Sequence, residues 1–162
     1  MHASSPPAES RNQRYKDLVT ELTSLVAGEP DLIANLANAA ALLNQAMPQC
    51  SWVGFYIMRG DELVLGPFQG KVACVRIAMG RGVCGTAARD KRTIRVDNVD
   101  EVPGHIACDA GSKSEVVAPI IAADRVVAVL DVDSYEHAAF DAADAAVLDE
   151  VAAIAANFAW PS

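Results

Sequence analysis

The chain has 162 residues, which is the length of a single domain. Its 13 basic and 21 acidic residues give a net charge of −8, and this disfavours nucleic-acid binding, which requires a basic face. Hydrophobic residues make up 52% of the chain, too many for a disordered protein, yet no apolar run reaches the ~18 residues of a membrane-spanning helix.

The predicted elements begin after a tail, residues 1–10, which is rich in Ser and Pro and which we expect to be disordered. Apolar residues recur at helical spacing from Arg11 to about Ala27, where Gly28 and Pro30 end the predicted helix. A second helix is predicted from Asp31 to about Met47. Residues 11–162 are predicted to form one domain.

After the second helix the hydrophobic pattern changes to a period of two. Six strands are predicted, at 51–58, 62–69, 72–78, 93–96, 115–122 and 126–134. A short helix is predicted at 82–89, and a last helix from Asp141 to about Ala159 has an apolar stripe that could pack internally or form a dimer. The pattern predicts an α+β domain with a mostly antiparallel sheet.

Residues 97–113 lie between the fourth and fifth predicted strands and have no clear period. A structureless segment of this length inside a compact domain is usually functional or mobile. We therefore look for functional residues in it.

A glycine pattern, Gly80-x-Gly82-x-x-Gly85, opens the short helix and is similar to a dinucleotide-binding fingerprint. Only seven residues separate Gly85 from the next predicted strand, whereas a parallel crossover needs at least ~10–12 residues. No further strand–helix–strand units follow. We interpret these glycines as serving the turn itself.

The first strand has two different faces, because strand side chains alternate. The apolar face, predicted to pack against the helices, consists of Val53, Phe55 and Ile57. Trp52 and Tyr56 lie on the other face, with Gly54 between them. This second face is either the wall of a small-ligand pocket or a second core face under the long segment.

Asp131 and Asp133 share one face near the end of the last predicted strand, although Asp is depleted in strands. They could be a solvated strand end. If the preceding hairpin loop has an odd number of residues, such as 123–125, Glu115 faces Asp133; a two-residue loop would put Glu115 on the opposite face. Three clustered carboxylates cannot all ionise, so the cluster could bind a cation or act as a general acid.

The N-terminal residues lack the apolar stretch of a secretory signal, so we predict a cytoplasmic protein with reduced thiols. In that compartment a disulfide is usually transient and catalytic. A zinc site is disfavoured, because the cysteines are irregularly spaced and no Cys-x-x-Cys is present.

The four cysteines are candidates for redox chemistry. Cys108 lies in the long segment, where a thiol could be exposed, and His105 could polarise it. Cys84 lies near the start of the short helix, whose dipole would lower the pKa of the thiol. Cys74 lies in an apolar strand, and Cys50 follows the second helix. For any of the four, packing as a small apolar residue is the alternative.

Six segments together carry a family resemblance: WVGFY at 52–56, GPFQGKVACVRI at 66–77, GRGVCGTA at 80–87, GHIACDA at 104–110, SE at 114–115 and LDVDS at 130–134. With these segments the chain resembles the free methionine-(R)-sulfoxide reductases, single-domain enzymes of the GAF fold. The resemblance spans roughly Tyr15 to Phe158. It is specific, because generic GAF sensor domains lack this set of three cysteines. Neither Cys50 nor the tail is part of it.

The resemblance implies a central sheet with the terminal helices on one face and a ligand pocket on the other. It implies that Cys108 is the attacking cysteine, Cys74 its main resolving partner and Cys84 an auxiliary cysteine. The implied substrate-binding residues are Trp52, Tyr56, Glu115, Asp131 and Asp133.

The resemblance also implies free methionine-(R)-sulfoxide as substrate, thioredoxin as external reductant, no metal or organic cofactor, and a homodimer. Two alternatives stay open. A non-catalytic GAF ligand-binding module usually adjoins an effector domain, for which 162 residues leave no room. A cysteine-based peroxidase would form the same sulfenic acid but would not need three carboxylates.

Overall fold

The computed structural model of the protein describes residues 8–105 and 109–162. The α-helices in these residues are α1 (Ala8–Val26), α2 (Leu32–Ala46), α3 (Gly82–Asp90) and α4 (Ala142–Ala155). The strands are β1 (Trp52–Arg59), β2 (Glu62–Gln69), β3 (Arg76–Ala78), β4 (Ile94–Val96), β5 (Ser114–Ala122) and β6 (Arg125–Ser134), and a short 3-10 helix spans Val99–Glu101.

Two helix boundaries differ from the prediction. Helix α1 begins at Ala8, so the last three residues of the predicted tail are helical, while residues 1–7 lie outside the described part of the chain. Helix α4 ends at Ala155 rather than near Ala159, where backbone bonds that span three residues replace the helical ones: the Phe158 N–H donates to the Ala155 carbonyl at 3.0 Å. The Trp160 indole N–H folds back and donates to the same carbonyl at 2.7 Å.

The strands form one six-stranded sheet in the order β3-β2-β1-β6-β5-β4, and every neighbouring pair is antiparallel. The predicted α+β class is therefore confirmed. One sheet face, including Phe55 and Leu130, packs against α1, α2 and α4. The opposite face, including Trp52, Tyr56 and Val129, packs against α3.

The apolar stripe of α4 packs internally. Val147 and Val151 are buried in the single chain, in the same core as Leu22 of α1. The stripe therefore does not offer a face for a partner, and a homodimer stays a prediction. Within the described residues, no helix has both the length and the apolar character needed to span a membrane.

The loop after Ala78 confirms the interpretation of the glycine pattern. A Cβ added at Gly85 would lie 2.5 Å from the Ala78 carbonyl oxygen, a contact that no side chain tolerates. Gly80 and Gly82 have φ angles of 81° and 62°, in the left-handed region that favours glycine. The three glycines thus shape the tight entry into α3.

Strand β3 is shorter than predicted, because residues 70–75 form an irregular segment, here called the strap. Two aromatic side chains of β1 hold its backbone. The Trp52 indole N–H donates to the Lys71 carbonyl at 3.1 Å, and the Tyr56 hydroxyl donates to the Cys74 carbonyl at 3.0 Å. These bonds place the strap over the sheet face opposite α1, α2 and α4.

The β5–β6 hairpin corrects one prediction and confirms its consequence. Its loop has two residues, Ala123 and Asp124, both with positive φ, rather than the odd number that we considered. A β-bulge after Ile120 adds one residue to β6 and shifts the register back. As a result, Glu115 still pairs with Asp133.

Candidate active site

A cavity that is open to solvent lies on the sheet face that carries α3. Its lining residues are Trp52, Tyr56, Lys71, Val72, Ala73, Ile77, Arg81, Gly82, Val83, Cys84, His105, Asp109, Ser112, Glu115, Asp131 and Asp133. The cavity therefore brings together every predicted site residue that the structure describes except Cys74, which lies in the strap beside it.

The aromatic residues of β1 form one wall of this cavity. The Trp52 ring stacks on the Tyr56 ring with centroids 5.9 Å apart, and on the Phe68 ring at 5.3 Å. Both alternatives considered for this face are thus realised, because the rings line the cavity and also belong to the second core. Phe68 was missed from the sequence, since its approach depends on the β1–β2 register.

Gly54 makes the stacking of Phe68 on Trp52 feasible. A Cβ at this position would lie 2.4 Å from the Phe68 Cβ and 2.8 Å from a Trp52 ring carbon. We expect Gly54→Ala to lower the free energy of unfolding by about 1–3 kcal/mol, the usual cost of overpacking a core. Urea unfolding measures this effect. An unchanged unfolding midpoint would contradict the packing described here.

The three acids lie on adjacent positions of two strands. Glu115 of β5 pairs with Asp133 of β6, and Asp131 faces Gly54 across the β1–β6 ladder. Alternation along β6 puts Asp131 and Asp133 on one face of the sheet. Glu115 and Asp131 are buried, with 7% and 5% of their surfaces exposed, and Asp133 is partly buried. Asp131 and Asp133 are therefore not a solvated strand end.

Burial raises the pKa of all three carboxyl groups well above their ordinary values. Charge repulsion adds to this effect: Asp131 raises the pKa of Glu115, and Asp133 raises that of Asp131. Within the described chain, no Lys or Arg nitrogen lies within 4.0 Å of the cluster, and His105 Nε2 is 3.9 Å from Glu115 Oε1. At least one acid is therefore protonated near neutral pH, as predicted, and can donate a proton.

The environment of Cys84 contradicts the expected effect of the helix dipole. Cys84 is the third residue of α3, but its side chain is buried and its Sγ lies 4.0 Å from Glu115 Oε2. Burial, followed by the charges of Asp131 and Glu115, raises the pKa of this thiol well above its ordinary value. The desolvation and the acids outweigh the helix dipole, so the Cys84 thiol stays protonated at neutral pH.

The other cysteines differ in state. Cys74 is disulfide-bonded, whereas Cys50 and Cys84 are free thiols. Cys50 lies outside the cavity, near Asn44, and burial raises the pKa of its thiol to about 11. Cys108 lies outside the described residues.

Asp109 anchors the chain directly after residues 106–108. The Tyr135 hydroxyl donates to its carboxylate at 2.7 Å, and the Gly111 backbone N–H donates at 2.9 Å. The Tyr135 hydrogen bond keeps the pKa of Asp109 below its ordinary value. This contact was not predicted from the sequence, because Asp109 and Tyr135 are 26 positions apart.

The acid cluster should make stability depend on pH. The pKa of Asp131 is higher in the folded chain than in the unfolded chain. The contribution of Asp131 to folding stability is therefore fully present below its unfolded pKa, and it is lost as the pH rises through its folded pKa. Asp131→Asn cannot ionise. We expect this variant to be more stable than the parent by about 1–3 kcal/mol at pH 8, with a smaller difference at pH 5.

Thermal or urea unfolding at pH 5 and pH 8 measures this difference. The matched control is Asp61→Asn, because Asp61 is exposed in the β1–β2 turn. The prediction would be contradicted if the parent chain and Asp131→Asn differed in free energy of unfolding by the same amount at both pH values.

Comparison with known proteins agrees with the fold. A GAF domain family model matches residues 26–158. A protein of Escherichia coli (strain K12) named free methionine-R-sulfoxide reductase is 48% identical over 125 residues, covering 77% of this chain and 76% of the relative. A Saccharomyces cerevisiae protein of the same name is 40% identical over 151 residues, covering 88% of this chain and 84% of the relative.

One solved structure is that of a free methionine-R-sulfoxide reductase from Neisseria meningitidis in complex with its substrate. It superposes on this chain with a TM-score of 0.88 at 46% sequence identity, and covers 96% of this chain and 94% of that chain. The fold of this chain therefore matches that of a solved enzyme with its substrate bound.

Proposed function

The chain belongs to the GAF-domain family, and from that premise we propose that it reduces free methionine-(R)-sulfoxide to methionine, using its own thiols as the reductant. The observation that carries this proposal is the cluster of Glu115, Asp131 and Asp133 in a cavity bordered by the strap of Cys74. This arrangement offers a proton donor and a redox-active sulfur to one small ligand.

The first step is attack on the substrate. The Cys108 thiolate attacks the sulfoxide sulfur, and a protonated acid of the cluster donates a proton to the sulfoxide oxygen, which otherwise is a poor leaving group. The oxygen is transferred to Cys108 as a sulfenic acid, and methionine leaves as the thioether. The sulfoxide is reduced by two electrons, and Cys108 is oxidised by two.

The second step forms a disulfide. The Cys74 thiol condenses with the sulfenic acid on Cys108, and water is released. Two observations support this pairing: Cys74 is disulfide-bonded, and Cys50 and Cys84 are free thiols. Cys84 acts as an auxiliary thiol, because the same acids that surround it keep it protonated and disfavour it as the attacking group.

The third step restores the thiols. An external dithiol protein, thioredoxin, reduces the disulfide by exchange, so the cycle uses no metal or organic cofactor. A reducing compartment such as the cytoplasm supplies that reductant. The aromatic wall of Trp52 and Tyr56 contacts the apolar part of the substrate, and the carboxylates not used as the acid bind its ammonium group.

The test is a coupled assay. The protein is incubated with free methionine-(R)-sulfoxide, thioredoxin and thioredoxin reductase, and the oxidation of NADPH is followed. We expect turnover that depends on all components. No turnover with the reduced protein would overturn the proposal. Binding of the sulfoxide without turnover would then favour the ligand-binding module. Turnover with hydrogen peroxide but not with the sulfoxide would favour the peroxidase.

A further inference from the structure

A thiol and two carboxylates converge at the base of the cavity. One ligand atom from each of Cys84, Glu115 and Asp131 lies within 4.8 Å of the other two, and all three residues are buried. The proposed reaction uses the carboxylates for a proton and an ammonium group. It gives Cys84 only an auxiliary part, which does not require the thiol to lie beside two acids.

The cluster also contains an unsatisfied oxygen. Asp131 Oδ1 is buried, and none of residues 8–105 and 109–162 places a donor within hydrogen-bond distance of it. Asp131 is 5% exposed and lines the cavity. A buried carboxylate oxygen without a donor is costly, and a cation that reaches it through the cavity would remove that cost.

The ligand types select the class of cation. One sulfur and two carboxylate oxygens suit a borderline-soft ion such as Zn²⁺, which binds thiolate at about 2.3 Å and carboxylate oxygen at about 2.0–2.2 Å, whereas Mg²⁺ and Ca²⁺ take oxygen ligands. The 4.0 Å separation of Cys84 Sγ and Glu115 Oε2 is close to the ~3.5 Å between two ligands of a tetrahedral ion. His105 Nε2, 3.9 Å from Glu115 Oε1, is in reach as a fourth ligand.

We propose that the cavity holds a thiophilic divalent cation, Zn²⁺ or Cd²⁺, on Cys84, Glu115 and Asp131, and that the ion displaces the Cys84 proton to solvent as it binds. The cation occupies the same carboxylates that bind the substrate ammonium group in the proposed function, and it is therefore an inhibitor and not a cofactor. This site contains one cysteine and two acids. It therefore differs from the zinc site built from several cysteines, which the irregular spacing of the four cysteines disfavours.

The test uses cadmium binding to the oxidised protein without any reductant. In that state a thiol count of two per chain is expected, because the chain has four cysteines and Cys50 and Cys84 are free thiols. Titration with Cd²⁺ should produce the ultraviolet absorption of a cadmium–thiolate bond with one ion per chain, and Zn²⁺ should displace it. Because the assay measures binding and not turnover, its result is independent of the proposed reductase activity.

Variants identify the ligands. Cys84→Ser should lose the absorption band, whereas the matched control Cys50→Ser should retain it, because Cys50 lies outside the cavity. Asp131→Asn should weaken Cd²⁺ binding by more than 10-fold, since even a residue behind a metal ligand usually contributes ~10–100-fold. Circular dichroism verifies the fold of each variant.

The absence of the band in the parent chain, or its retention in Cys84→Ser, would overturn the proposal. If Cys84→Ser does not fold, Asp131→Asn decides: undiminished affinity in that variant would equally overturn it.

Discussion

Replacing Cys108 with serine should abolish methionine release, even within a single turnover. In the proposed mechanism Cys108 is the nucleophile, and the protonated and buried Cys84 thiol cannot take its place. The measurement is a count of methionine molecules formed per chain after reduced enzyme is mixed with excess free methionine-(R)-sulfoxide and no external reductant. The expected count is zero.

Two controls separate attack from recycling. Cys74→Ser should release about one methionine per chain and then stall, because the sulfenic acid forms but its main resolving thiol is missing. Cys50→Ser should behave as the parent chain does, since Cys50 lies outside the cavity. A full burst from Cys108→Ser together with none from Cys84→Ser would show that the attacking residue has been assigned wrongly.

Acetylation of the substrate nitrogen should lower kcat/KM by at least ~100-fold. A neutral sulfoxide needs one proton donor, whereas the cluster on β5 and β6 contains three acids, so the other two are available for an ammonium group. N-acetyl-methionine-(R)-sulfoxide carries no such charge and adds bulk beside Glu115, Asp131 and Asp133. Sites built to bind a polar group reject analogues that lack it by up to ~10⁴-fold or more.

The variant Asp131→Asn tests the physical cause of this selectivity. It should reduce kcat/KM for the free substrate far more than for the acetylated one, because only the free substrate offers a cation to the carboxylate. Selectivity for the free amino acid would then fall. Comparable kcat/KM values of the parent chain for the two substrates would show that the acids do not recognise the ammonium group.

Much of the fold was predictable from local chemistry. Helix α2 begins directly after Asp31, whose side chain accepts the Ala34 backbone N–H at 2.8 Å, and strand β2 spans the residues predicted for it. The alternation along β1 correctly assigned Phe55 to the core formed with the helices and Trp52 to the opposite core. These features depend on spacing and capping, which are properties of neighbouring residues.

The strap and the end of α4 were not predictable in the same way. Residues 72–75 have the composition of a strand, but hydrogen bonds from Trp52 and Tyr56 of β1 hold part of this segment away from regular pairing. At the end of helix α4 the Ala155 carbonyl accepts the Phe158 N–H and also the Trp160 indole N–H. In each case a side chain that lies outside the element contributes a hydrogen bond that the local pattern does not show.

The sequence by itself determined which residue types this protein offers: three acids on two strands, an aromatic strand face and four cysteines. Only the tertiary structure decided that Glu115 joins Asp133, because a β-bulge offsets the two-residue hairpin loop and no local rule reveals the bulge. The tertiary structure likewise decided the chemistry of Cys84. The place of Cys84 at a helix start predicts a lowered thiol pKa. Burial and the carboxylates of β5 and β6 raise that pKa instead, because desolvation and nearby negative charge outweigh one helix dipole.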